Sequence, residues 1–422
     1  MRLTALCLVV GSCFAAPAWA FEAFRSETAR PADEFVESIG VNVHLSYFDT
    51  AYSNYAGVIK PRLLEAGIRH IRDGCPSQNQ TEFQNRLNDL GRLGVKSLLI
   101  CSPHTGKTPA DIVAALKKVR ESVAMVEGPN ETDGAGISYQ GLKFPEGTRA
   151  FQDDLFAAVK GDADLARLPV VMASISDPEK APRLGRLASA DFANTHCYAG
   201  GGPPGFRWNW YMDRCLTNIQ RPIIASESGY HHATNHTDGH WIRGVTERAS
   251  GRCLPRLLAE YFTRGIVRTY LYEFLDLKAQ PDYSEANFGM LRWNGEAKPA
   301  YTAIKNLIAL LRDPGPSFTL GSLEFSINGD IEPVRHLLLQ KRDGRFYLVL
   351  WINAVSYDTK TKQDIKFAPQ PTRVLFAKPI ASAKTYTPLT GPNPVATFGQ
   401  TNELMLQVPD HLLVLELQPL DK

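Results

Sequence analysis

Up to about Gly315 the chain alternates between stretches with apolar residues three and four positions apart and short, nearly continuous apolar runs. The first pattern belongs to helices with one buried face, the second to strands buried on both faces. One unit recurs: an amphipathic helix, a glycine, then a strand. It occupies 62–72 through Gly67, 88–100 through Gly94, and 259–272 through Gly265. A glycine there fits the left-handed residue that ends a helix without a Cβ clash. Strands alternating with helices predict a parallel sheet.

The pattern yields eight strands, at 40–44, 68–72, 97–101, 123–127, 170–174, 192–198, 222–227 and 267–274. Helical stretches such as 109–120, 151–159 and 182–187 lie between them, and a last helix, 299–311, stops at Asp313-Pro314-Gly315. Eight such units over roughly 280 residues have the size of a (β/α)8 barrel, a TIM barrel. An open doubly wound sheet is the competing arrangement, but no glycine-rich phosphate loop follows the first strand.

Beyond Gly315 the period changes to alternation, as in 335–340, 345–351 and 412–417, broken by Asn328-Gly329, Asp343-Gly344 and proline-containing turns. This reads as an all-β sandwich domain of about 100 residues. With no low-complexity linker ahead of it, it is expected to dock rigidly on the barrel. The division is thus 1–20 signal peptide, 21–314 catalytic barrel, and 315–422 β-sandwich.

The signal peptide rests on Arg2, the apolar run 3–16 and Ala18-Trp19-Ala20, a small-x-small cleavage pattern. The run is too short to span a bilayer of about 30 Å. The expected location is secreted or periplasmic, with lipoprotein anchoring at Cys13 as the second reading. Of seven cysteines, Cys75, Cys101, Cys197, Cys215 and Cys253 remain after the leader, an odd number with no CxxC spacing. Strand ends two and three are barrel neighbours, so Cys75 and Cys101 are the expected bridge. Net charge is +2 with no run of Lys or Arg, which points away from nucleic acid as a partner.

Barrels of this type carry their working residues at the C-terminal ends of the strands. Those ends read Asn42 and His44, Arg72-Asp73, Glu127-Gly128-Pro129-Asn130-Glu131, His196 and Tyr198, Glu227, and Glu273. Charges gathered in a barrel mouth persist where they are paired or used. Glycoside hydrolysis uses this inventory: one carboxyl protonates the leaving oxygen, and a second, ionised, attacks the anomeric carbon. In retaining enzymes the two lie about 5–5.5 Å apart. Glu131 and Glu227 stand 96 positions apart, the length of three βα units, which puts them on strands four and seven across the mouth.

Asn130-Glu131 after a strand resembles the acid/base signature of glycoside hydrolase clan A, the 4/7 superfamily. Residues 223–230, Ile-Ile-Ala-Ser-Glu-Ser-Gly-Tyr, resemble its strand-seven nucleophile segment. His196-Cys197-Tyr198 is similar to its strand-six His-x-Tyr, and Arg72 sits where the clan has its strand-two arginine. The segment 298–307 resembles the clan's final barrel helix, and Glu127 is similar to members of family 39, where a C-terminal β-domain is also usual. The resemblance spans about residues 36 to 312 and implies a retaining hydrolase with Glu131 as acid/base and Glu227 as nucleophile. It further implies that Asn130 bonds the sugar 2-hydroxyl, that Arg72 and Tyr198 hold Glu227, and that His196 contacts substrate or positions the tyrosine. Two departures concern the substrate: Gly128-Pro129 replaces a tryptophan before Asn-Glu, and Tyr272-Glu273-Phe274 replaces one on strand eight.

Other features compete for a role. Glu127 reads as a structural carboxylate and as the reserve acid, and Cys197 as a buried thiol. Glu273 and His44 are candidates for holding substrate or supporting the site. The loop 231–240 is rich in histidine, but His232, His236 and His240 share a face only on a helix, and Asp238-Gly239 is turn-like, so no metal is expected. Trp208, Trp210, Trp241 and Trp293 are candidates for stacking on sugar rings, Trp241 foremost. No cofactor is needed, since two carboxylates supply the chemistry. The partner is a polysaccharide or oligosaccharide. A catalytically silent polysaccharide-binding barrel is the alternative, against which stand both glutamates with Asn130 and Arg72. A metal-dependent deacetylase or amidohydrolase would use paired histidines where Asn42-Val43-His44 stands.

Overall fold

The computed structural model describes residues 23–103, 106–215, 221–329 and 333–420. The expected signal peptide and the lipoprotein site at Cys13 lie outside the described residues. Eight parallel strands form the first sheet: β1 Ile39–Asn42, β2 His70–Gly74, β3 Lys96–Ile100, β4 Val123–Glu127, β5 Val170–Val171, β6 Ala193–Thr195, β7 Ile223–Ser228 and β8 Ile266–Leu271. They follow chain order around the ring, β8 beside β1. A parallel bridge from Val171 to Phe192 closes the ring between β5 and β6. The sheet is a (β/α)8 barrel.

Sequence periodicity placed the ladders to within a few residues, and the exceptions bear on the site. Strands five and six were expected to run to Ser174 and Tyr198, yet their ladders stop at Val171 and Thr195. Beyond those points the backbone turns to other work: the Ser174 amide donates to the Pro129 carbonyl at 3.2 Å. The final helix, Pro299–Leu311, starts on proline at N1, where the missing N–H is unneeded.

The second sheet contains β9 Ser322–Gly329, β10 Arg335–Gln340, β11 Phe346–Trp351, β12 Gln370–Tyr386, β13 Thr401–Val408 and β14 Leu413–Pro419. The first part of β12 pairs with β9 and β13, and its last part with β14. Between them the exposed Ala377-Lys378-Pro379 interrupts the ladder, so one long strand passes from one layer to the other. Phe325, Val374 and Leu404 from the first layer meet Leu348, Leu415 and Leu417 from the second in one core. Two N-terminal strands join this domain: Arg25–Thr28 pairs with β9, and Arg30–Pro31 with β10.

All of Phe346–Trp351 is buried because this strand has two apolar faces to cover. Leu348 and Leu350 face the sandwich core, while Tyr347, Val349 and Trp351 join the barrel's own cluster with Tyr261 and Phe262. The fully buried Arg256, in helix Glu247–Thr263, fastens the contact by donating to the carbonyls of Ile352 and Ala354 at 2.8 and 2.9 Å.

Candidate active site

Of the side chains predicted at the strand ends, Asn42, Glu127, Asn130 and Glu227 gather around the buried guanidinium of Arg72. From β2 its Nε and Nη2 reach both oxygens of Glu127 at 2.6 and 2.7 Å, its Nη1 reaches Asn42 Oδ1 at 2.9 Å and Glu227 Oε1 at 2.6 Å, and Nη2 also reaches Asn130 Oδ1 at 2.6 Å. Glu127 accepts further bonds from Asn194 Nδ2 and Ser226 Oγ at 3.0 and 3.1 Å. A carboxylate so fully satisfied is a structural anchor, and the reserve role for Glu127 as acid falls away.

Glu227, at the end of β7, receives the Tyr198 hydroxyl on Oε2 at 2.9 Å. Burial pushes its carboxyl up, but the charges of His196 and Arg72 and the bonds from Arg72 and Tyr198 outweigh that and hold it below the ordinary value. It is kept ionised.

Glu131 sits just past β4, at the start of the short helix Thr132–Ala135, with φ 44° and ψ 43°. A left-handed conformation costs a residue with a Cβ about 1–2 kcal/mol. Ser174 holds it there: its Oγ accepts from the Glu131 amide and donates to Asn130 Oδ1, both at 3.1 Å. Asn130 Oδ1 is thereby taken by Arg72 and Ser174, so its Nδ2 is the end available to the cavity that Asn130 lines. The departure at Gly128 also has a local reason. A Cβ there would lie 1.9 Å from Gln152 Oε1 and 2.8 Å from the Ala173 amide, so only glycine lets this turn lie against the chain after β5.

His196 joins the two glutamates. Its Nε2 lies 2.8 Å from Ser226 Oγ, whose own proton goes to Glu127, so Nε2 carries a hydrogen. Its Nδ1 lies 2.6 Å from Glu131 Oε1 and 3.6 Å from Glu227 Oε2. One proton is thus shared along the Nδ1–Glu131 line. Burial lowers the imidazole's affinity for it, but the charges of Glu227 and Glu131 raise it further, leaving His196 above its ordinary value. One oxygen of Glu131, one of Glu227 and one nitrogen of His196 all lie within 4.8 Å of one another.

A cavity of about 550 Å³ opens on this pair, lined also by Asp177, Arg207, Trp210, Trp241, Tyr272 and Glu285. Trp241 and Trp210 stand in its wall. Trp208 instead packs on Tyr261 in the core, and the exposed Trp293 lies outside the lining. His44 and Glu273 lie behind the wall: His44 Nε2 approaches Glu273 Oε2 at 3.1 Å, and the Tyr52 hydroxyl donates to the same oxygen at 3.1 Å. They stand under Tyr272, whose ring is 5.8 Å from that of His44.

Loop 231–240 is not helical. His232 bonds Lys298 and His236 bonds Asp238, so the histidines answer to separate partners. Cys75 and Cys101 are neighbours but free thiols, against the expected bridge. Cys197 is buried with its thiol pushed up to about 11, an inert group.

Sequence reading missed Glu285. Its carboxyl is pushed up to about 7 by burial and by the charges of Glu273, Glu227 and Glu131, while the Tyr272 hydroxyl donates to it at 3.3 Å. No periodicity marks it, since it lies in a loop turn, Ser284–Asn287.

No family model matches this sequence, and no curated protein does. The architecture, a (β/α)8 barrel carrying a C-terminal β-domain, is nevertheless similar to that of solved structures. Two of those structures are family 39 enzymes. A family 39 glycoside hydrolase from the gut symbiont Bacteroides cellulosilyticus WH2 aligns with TM-score 0.62 at 13% identity, over 92% of this chain and 82% of that one. A family 39 β-xylosidase from Caulobacter crescentus aligns with TM-score 0.54 at 14% identity, over 93% and 98%. At these identities the likeness speaks for the fold.

Proposed function

We propose that this chain is an exported retaining glycoside hydrolase that cleaves β-glycosidic bonds of an extracellular or cell-envelope polysaccharide. The observation that carries the reading is the approach of Glu131 and Glu227 to within 4.8 Å across the mouth. That spacing suits direct attack by a carboxylate, whereas inverting enzymes need about 6.5–9.5 Å to admit a water.

Each residue has a step. Glu227, ionised between Arg72 and Tyr198, attacks the anomeric carbon as the bond to the leaving oxygen breaks. The proton shared by Glu131 and His196 passes through Glu131 to that oxygen. Asn130 Nδ2 faces the sugar's 2-hydroxyl, a contact that strengthens as positive charge develops on the ring. In the second step Glu131 takes a proton from water, the oxygen attacks the glycosyl ester, and Glu227 leaves as carboxylate. Arg72 is charged throughout, so it stabilises Glu227 both before attack and on departure.

The test is a screen of the purified protein against β-linked polysaccharides and aryl β-glycosides, with the product's anomeric configuration read early by proton NMR. Hydrolysis with retained configuration, lowered roughly 10²–10⁴-fold by Glu131→Gln and abolished by Glu227→Gln, is the expected result. Activity surviving in both variants removes the assignment, and binding without cleavage favours a silent polysaccharide-binding barrel.

A further inference from the structure

Arg207 lines the same cavity from the loop after β6, ahead of helix Trp208–Cys215. Its guanidinium carbon lies 4.8 Å from the ring centre of Trp241 and 5.7 Å from that of Trp210. Among the described residues no carboxylate pairs with it and no acceptor takes a hydrogen bond from its side chain. Its neighbours differ, for Arg214 is tied to Glu179 and Arg264 to Glu260. Gly200 makes the room for this stack: at φ +62°, a Cβ there would come within 3.3 Å of Trp241 and 3.6 Å of the guanidinium carbon.

Contact with the face of an indole engages the plane of a guanidinium and leaves its edge of N–H donors open. That edge matches a carboxylate or sulfate two oxygens at a time. Glu131, Glu227 and Glu285 line the rest of the cavity and repel an anion from the reacting position. Trp241, 45% exposed, offers a face on which a sugar ring can stack.

Resting on the glycosidase reading, we infer that Arg207, Trp210 and Trp241 form a subsite for an anionic sugar, one bearing a carboxylate or a sulfate ester, adjoining the sugar whose bond is cleaved. The substrate is accordingly an acidic polysaccharide.

The test titrates the full chain with β-1,4-linked hexaglucuronate, sulfated cellohexaose and neutral cellohexaose, reading tryptophan fluorescence and heat. At least one anionic hexasaccharide should bind about tenfold or more tighter than the neutral one, with the advantage shrinking as salt rises. Which anion wins identifies the charged group. Arg207→Gln should erase the preference and Arg207→Lys keep part of it, each checked for native circular dichroism. Equal binding of all three, no binding of either anionic form, or a preference that survives Arg207→Gln overturns the inference. Cleavage of neutral β-glycosides without anionic preference leaves the enzyme reading standing and removes the subsite. Anionic preference without cleavage of any substrate does the reverse.

Discussion

Arg72 and Glu127 meet as a two-pronged ion pair, Nε to Oε2 at 2.6 Å and Nη2 to Oε1 at 2.7 Å, with both side chains shut off from solvent. The pair fixes the guanidinium plane, and the plane decides where Nη1 points, which is at Glu227 Oε1. The position of Glu227 is therefore set one residue removed, by a carboxylate that never faces the cavity.

Breaking that pair leaves a buried charge without its partner, a loss of roughly 3–5 kcal/mol. Glu127→Gln is expected to lower unfolding free energy by about that amount in urea titrations and to depress kcat along with it. A loss below about 1 kcal/mol would mean the pair behaves like a surface bridge.

The pH dependence of stability has two limbs. Glu227 lies below its ordinary value of 4.5 when folded, so its contribution is present above 4.5 and lost as pH falls through the folded value. His196 lies above 6.5 when folded, so its contribution is complete below 6.5 and lost as pH rises through the folded value. Urea midpoints across this range should fall at both ends, with Glu227→Gln flattening the acid limb and His196→Gln the alkaline one.

The two carboxylates should also part company under azide. Glu131→Ala, supplied with an activated aryl glycoside and azide, is expected to yield a glycosyl azide of retained configuration, because Glu227 has already formed the ester. Glu227→Ala should give the inverted azide in one displacement. The reverse pairing of products would exchange the two roles.

Glu285, pushed up to about 7 by burial and by neighbouring carboxylates, titrates where the enzyme would work. As an acid raised on folding, it holds a proton that the unfolded chain has released, so stability declines as pH rises from 4.5 towards 7. Glu285→Gln should remove an ionisation near neutrality from the kcat/KM profile. An unchanged profile would put this carboxyl outside the catalytic cycle.

Sequence periodicity was most informative where both ends of an element were marked. Val123–Glu127 and Pro299–Leu311 stand at their predicted bounds, the second opened by proline and followed by Asp313-Pro314-Gly315. It failed where loop residues converge from distant positions: nothing in the order of residues brings Arg207 to Trp241, or Glu285 to Tyr272. The strand Arg25–Thr28 gave no signal because it is polar and largely exposed on both faces. The proposed bridge shows the limit from the other side. Cys75 and Cys101 follow the paired residues Gly74 and Ile100, so adjacency was readable, but oxidation state was not.

That polar N-terminal strand has a consequence for how the molecule comes into being. Arg25 faces Phe325, and Thr28 faces Ser322, so the first described strand waits for a partner made almost three hundred residues later. Closing so long a loop adds little entropy beyond that of a moderate one, since the cost grows only with the logarithm of length, but finding the partner is slow. The β-domain is a clasp rather than an appendage. A nascent barrel lacking it would leave Glu260 without the Trp351 indole N–H that donates to it at 3.2 Å and a strand with nothing to zip to, so synthesis must pass Leu417 before the fold can lock.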